Sequence, residues 1–153
     1  SKFIYNVVLM WTYTHSETYE SIEPEAIWSL WSDVNHWNHW DSDIEYTQLQ
    51  GSFIAGSRLT LKPKGGPAVK VMLSEVNEGK SFTDYTRFPG AKMYFSHALE
   101  GLEEGVCLTN TIRVTGIFTH LWVALVAKKM AKTMPAQMDS LIKLAREQSA
   151  YAC

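Results

Sequence analysis

The sequence predicts an α+β domain in which a strongly curved antiparallel sheet of seven strands wraps one long C-terminal helix. Three observations predict it. Turn-forming strings recur at Gly51–Gly56, Gly65-Gly66-Pro67, Asn77-Glu78-Gly79, Pro89-Gly90 and Gly101–Gly105, and they separate short β-branched and aromatic runs. Residues 118–149 then place Phe118, Leu121, Trp122, Leu125, Val126, Met130, Met134, Met138, Leu141 and Leu144 at helical spacing. Finally, a chain of 153 residues that is 46% hydrophobic suits one domain, residues 1–153, with a core that needs neither disulfide nor metal.

Residues 3–15, FIYNVVLMWTYTH, read as a long first strand. The period changes at Ile22-Glu23-Pro24-Glu25-Ala26-Ile27-Trp28. Pro24 suits a first helical turn, where its missing N–H costs nothing, and the glutamates suit the positive end of a helix. Asp33 to Trp40 reads as a second short helix or a pair of turns. Strands follow at 44–50, 57–63, 68–77, 80–88, 91–100 and 106–115, and Gly116 closes the sheet. The last helix is expected to bend or break before Pro135, because proline clashes with the preceding turn.

Several function classes recede at this level. A formal net charge of −2 leaves no nucleic-acid footprint, and Lys128, Lys129 and Lys132 read as the wet face of a helix. Cys107 and Cys153 make neither a Cys-x-x-Cys pair nor a secretory framework. The opening run is interrupted by Asn6, Thr12 and Thr14, so neither a signal peptide nor stable membrane insertion is expected. A cytoplasmic location is the expectation. No cofactor is identifiable, and the oligomeric state is left open between monomer and homodimer.

The order of elements, together with IEPEAIWSLWSDVNHWNHWDSDIE, LQGSFIAGSRLTLKPKGG and LEGLEEGVCLTNTIRVTGIF, resembles the START-like helix-grip (SRPBCC) superfamily, and within it the polyketide cyclase/dehydratase and lipid-transport branch. The resemblance covers nearly the whole chain. It implies a deep cavity between sheet and helix, and a small hydrophobic molecule such as a lipid or polyketide as partner. Some members of the family catalyse cyclisation or dehydration, but it has no universal catalytic motif to transfer.

Strand parity then says which residues face that cavity, since side chains i and i+2 share a face. Met93, Phe95, His97 and Leu99 form one inner set; Val106, Leu108, Asn110, Ile112 and Val114 form another; Phe82, Asp84, Thr86 and Phe88 form a third. Pairing through the turns puts His97 opposite Asn110, near Phe82, with Asp84 as a diagonal neighbour. Three polar residues on an apolar face need partners. They form either an internal hydrogen-bond network or a site for ligand recognition or acid–base work, with His97 as acid/base and Asp84 and Asn110 orienting it or holding an oxygen. The helix is expected to add Trp122, Val126, Met130, Met134 and Met138. Trp28 and Trp31 are expected under or beside the cavity, and segments 51–56, 63–67 and 88–92 at its rim.

Other strings carry less. His36-x-x-His39, beside Asp33, Asp41 and Asp43, lacks the further ligands a metal site needs, and no metal is expected. Gly51 to Gly56 has the spacing of a phosphate loop, but Ser57 and Arg58 follow where lysine then serine or threonine is required. Three functions therefore stay open: a carrier or sensor of a hydrophobic molecule, a cyclase- or dehydratase-like enzyme using His97, and a co-chaperone-like protein-interaction module.

Overall fold

The structure, a computed structural model, describes residues 9–150. Seven strands, β1 (Met10–Glu20), β2 (Ile44–Gln50), β3 (Arg58–Pro63), β4 (Val69–Asn77), β5 (Ser81–Phe88), β6 (Ala91–Leu102) and β7 (Gly105–Thr115), form one sheet in the order β1-β7-β6-β5-β4-β3-β2. Every neighbouring pair is antiparallel. Between β1 and β2 lie helix α1 (Pro24–Ser32) and a 3₁₀ segment (Val34–His39). After β7 the chain runs through α2 (Thr119–Trp122), a π-helical segment (Val123–Ala127) and α3 (Lys128–Ala150). This is the expected helix-grip arrangement.

Two expectations need correction. The first strand was expected over 3–15, of which 3–8 lie outside the described residues; within them it begins at Met10 and continues to Glu20. It runs on because the alternation does: Thr14, Ser16 and Thr18 stay exposed while His15, Glu17 and Tyr19 turn half inward, each paired along β7. The outer face is laced by Thr14–Thr111 and Ser16–Thr109 hydroxyl hydrogen bonds of 3.1 and 2.8 Å.

The second correction concerns the break in the long helix. Pro135 lies inside α3 without interrupting it, and the irregularity falls earlier, at Val123–Ala127. The buried positions there are Thr119, Val123, Ala127 and Ala131, each four after the last. In an α-helix of about 3.6 residues per turn, each step of four overshoots a full turn by about 40°. A wider π turn absorbs that drift and keeps all four against the sheet.

Two glycines position the start of this helix. Gly90, in the β5–β6 turn, has φ +71, and a Cβ there would lie 2.1 Å from the Phe118 ring. Gly116 has φ +122, and its Cβ would lie 2.5 Å from the Gly90 carbonyl oxygen. Both positions need the left-handed backbone and the missing side chain, and together they let the two turns touch. The Phe118 N–H then donates to the Gly90 carbonyl at 2.9 Å, and Trp122 Nε1 donates to the Pro89 carbonyl at 2.8 Å.

The core divides in two. One cluster packs Trp31, Ile27 and Val34 with Leu73, Phe82, Leu99, Leu108, Met138 and Leu141. The other packs Met93, Phe95, Ile112 and Val114 against Val123, Ala127, Ala131 and Met134. The cavity lies on the concave face beside both.

Candidate functional site

The cavity encloses about 560 Å³ and is half open to solvent. β5 and β6 supply one wall through Phe82, Asp84, Thr86, Phe88, Met93, Phe95 and His97. The helix supplies the facing wall through Trp122, Leu125, Val126, Lys129, Met130 and Gln137. Trp37, Trp40 and Asp41 close one side, and Pro63 to Pro67 form the rim at the β3–β4 turn. A body of this size and lining suits a small, largely apolar molecule.

His97 is 6% exposed and lies among aromatic rings. Its centroid is 4.4 Å from Phe82 and 4.2 Å from Phe95, both nearly parallel, and 5.6 Å from Trp31. The expected register holds: His97 pairs with Phe82 on β5 and with Asn110 on β7. Its Nδ1–H donates to Asn110 Oδ1 at 3.2 Å, which leaves a lone pair on Nε2. Burial pushes the imidazole pKa down to about 3, against the opposing pull of the Asn110 bond. The ring is therefore neutral at physiological pH.

Asp84 pairs with Phe95 on β6 and Leu73 on β4, diagonal to His97 as expected. The orienting role expected for it is not what the structure places there. Among the described residues it forms neither a hydrogen bond nor an ion pair with His97, whose Nδ1 is taken by Asn110. Its carboxyl stands on the cavity wall without a partner among the described residues, and burial alone pushes its pKa up to about 7. The three polar residues thus split into a bonded pair, His97–Asn110, and one lone carboxyl.

The other expected ligand contacts separate by depth. Phe82, Met93, Phe95, Trp122, Val126 and Met130 line the cavity. Leu99, Leu108, Ile112 and Met134 do not; each is buried behind the wall, the first two in the cluster with Trp31, and Ile112 of β7 and Met134 of α3 in the cluster between sheet and helix. Asn110, also off the wall, reaches the cavity through His97. Parity identifies the inner face of a strand, but not how far along it the helix stands off from the sheet.

Sequence reasoning missed a second polar group. Asp41 is 8% exposed; its Oδ1 accepts from the Asp43 N–H at 3.0 Å and its Oδ2 accepts from Gln137 Nε2. Burial raises its pKa, while those bonds and Lys64 work the other way. Gln137 lies 96 residues along the chain, a pairing no local pattern announces. Trp37 and Trp40 stood out by composition, yet Trp37 Nε1 donates to the Trp31 carbonyl at 2.9 Å and both indoles also form cavity wall.

Of the expected rim segments, 63–67 lines the cavity throughout and 88–92 contributes Phe88, stacked on Trp122 at 4.4 Å. Segment 51–56 instead borders a separate half-open groove of about 730 Å³ between α1 and the β4–β5 turn, where Trp28 also lies. That groove is larger, but its acids, Glu25 and Glu78, lie outside the network of buried polar groups around His97. His36 pairs through Nδ1 with exposed Asp33 at 2.9 Å, and its ring is 4.8 Å from His39. Among the described residues no cluster of three or more His, Cys, Asp or Glu has metal-site geometry, and no helix is long and apolar enough to cross a membrane.

No protein-family model matches the chain, and no curated protein matches it. Solved structures do. A hypothetical protein from Helicobacter pylori superposes with a TM-score of 0.72 at 12% identity, over 88% of this chain and 87% of that one. Norcoclaurine synthase from Thalictrum flavum, solved with dopamine and hydroxybenzaldehyde, gives 0.70 at 13% identity, over 96% and 94%. A protein from Mesorhizobium loti gives 0.69 at 13% identity, over 90% and 98%. At such identities the likeness extends to the helix-grip fold and does not single out the polyketide-cyclase branch.

Proposed function

We propose that this chain binds a small hydrophobic molecule between the concave sheet and the helix, as a carrier or sensor. The observation that supports it is the cavity of about 560 Å³, walled mainly by aromatic and aliphatic side chains that the fold does not bring together to fill it. A monomer leaving such a space gains nothing in packing from it, since apolar voids destabilise. The ligand-bearing neighbour of the same fold agrees with this reading.

Saturable binding of the neutral dye Nile red is the test, with its emission moving to the blue on transfer from water. One site per chain is expected, and Val126→Trp, which puts an indole into the cavity, should abolish it while unfolding remains cooperative. No saturable binding in the wild-type protein, and no small molecule retained after gentle purification, would count against the proposal.

A second reading is supported by Asp84. A carboxyl whose pKa lies near 7 inside an apolar cavity has the proton affinity of a general acid or base. In a cyclase- or dehydratase-like reaction Asp84 would carry the proton, and the neutral Nε2 of His97, fixed by Asn110, would accept a hydrogen bond from the substrate. This reverses the roles expected from sequence, because a histidine pushed down to about 3 does not hold a proton at neutral pH. Unchanged turnover of a genuine substrate by Asp84→Asn would remove this mechanism.

A further inference from the structure

We infer that the ligand carries a protonated amine, seated against Asp84 with its apolar body among the aromatic rings. This rests on the cavity reading above and names the chemistry the cavity selects.

Donors also border the space, but Lys64 and Lys129 stand exposed at the rim, the Gln137 amide and the Trp37 and Trp122 indoles are already bonded, and Trp40 Nε1 is buried from contact; the polar groups left open on the β5–β6 wall are acceptors. Asp84 offers a carboxyl with no partner among the described residues, and His97 offers Nε2, because its Nδ1–H is committed to Asn110. Thr86 adds a hydroxyl that can serve either way. A ligand whose polar end only accepts would leave His97 Nε2 unmatched. One that donates satisfies both groups.

Among donors, an ammonium does what a hydroxyl does not. Asp84 is half-buried, and a carboxylate partly shielded from water is costly unless a cation compensates it. The other charged groups facing this space are already occupied or wet: Asp41 is bonded to Gln137 and the Asp43 N–H, while Asp43, Lys64 and Lys129 are exposed at the rim. Nothing charged reaches Asp84 from β4, whose paired residue is Leu73, or from β6, whose nearest residues are Phe95 and neutral His97. Aromatic rings add to the match: Phe82 is stacked on both His97 and Trp37, but Trp40 and the face of Phe95 turned away from His97 border the same space and attract cations through their π systems.

Two probes of one shape separate the charge from the apolar body: 2-(1-naphthyl)ethylamine and 2-(1-naphthyl)ethanol. Each is titrated against Nile red bound to the wild-type protein and to Asp84→Asn. At about pH 8 the amine should displace dye from the wild type at least about tenfold more tightly than the alcohol. That preference should shrink toward pH 5.5, where Asp84 holds a proton, and the alcohol should stay level. Asp84→Asn should lose the preference at every pH while still unfolding cooperatively. Equal affinity of amine and alcohol for the wild type, or a preference that survives Asp84→Asn, overturns the inference and leaves the cavity reading standing. Failure of Nile red and both probes to bind the wild type overturns the two together.

Discussion

Asp84→Asn should change how stability depends on pH, and the direction follows from a half-buried carboxyl and a buried imidazole acting against each other. Asp84 has its folded pKa raised from 3.8 to about 7. Well below 3.8 it is protonated in both states and neutral toward folding. As pH rises past 3.8 the unfolded chain ionises while the folded one does not, so stability falls by about 1.4 kcal/mol per pH unit until about 7. His97 has its folded pKa lowered from 6.5 to about 3. Above 6.5 it is neutral in both states; as pH falls below that value the unfolded chain takes up a proton first, and stability falls with decreasing pH at the same rate. Between about pH 4 and 6.5 these two slopes oppose, and the contributions of Asp84 and His97 nearly cancel there. Removing the carboxyl uncovers the His97 slope, so Asp84→Asn should gain about 3 kcal/mol from pH 4 to 6.5. Urea denaturation followed by circular dichroism at half-unit pH intervals reads this directly. His97→Phe should tilt the opposite way, with stability falling as pH rises. A profile of Asp84→Asn parallel to the wild type would refute the reasoning, because it would mean that the carboxyl titrates alike in folded and unfolded chains.

Three further outcomes are expected. Asn110→Leu leaves the Nδ1–H of His97 buried and unpaired; it should lower stability by about 1–3 kcal/mol, and ¹⁵N NMR of the ring should show the tautomer mixture broaden toward Nε2–H. Gly90→Ala places a methyl 2.1 Å from the Phe118 ring at φ +71; a loss of about 1–3 kcal/mol is expected in urea, of which Phe118→Ala in the same chain should restore the steric part and not the backbone part. Trp31→Ala empties the centre of the first core cluster, beneath His97 and Phe82, and should reduce stability by about 3–5 kcal/mol by the same denaturation.

Much of the fold was legible because it depends on local chemistry. Hairpin turns announce themselves by glycine, asparagine and proline, and alternation along β5, β6 and β7 fixed both the buried face and the His97–Asn110 pairing. What was not legible depends on distances between elements. Leu99 and Phe95 share one face of β6, yet only Phe95 borders the cavity, because Leu99 is enclosed by the cluster of Trp31, Leu108 and Met138 brought in from other elements. Asp84 and His97 were expected to bond as diagonal neighbours, but Asn110, directly opposite, takes the one N–H available. Asp41–Gln137 was invisible for a different reason: a single long-range hydrogen bond leaves no period in the sequence.

The π segment at Val123–Ala127 separates two tasks along one helix. Downstream of it, Met138, Leu141, Ile142 and Ala145 are locked into the core that holds the sheet in its curve. At and just around it, Leu125, Val126, Lys129 and Met130 look onto the cavity, and Leu125 is 60% exposed. A turn that already departs from α geometry can lose or gain a residue by becoming α-helical or widening further, without rotating the packed turns that follow. Single-residue deletions and insertions within 123–127 are thus a route by which the chain can re-aim its mouth residues, and so change what it admits, while the scaffold stays in register.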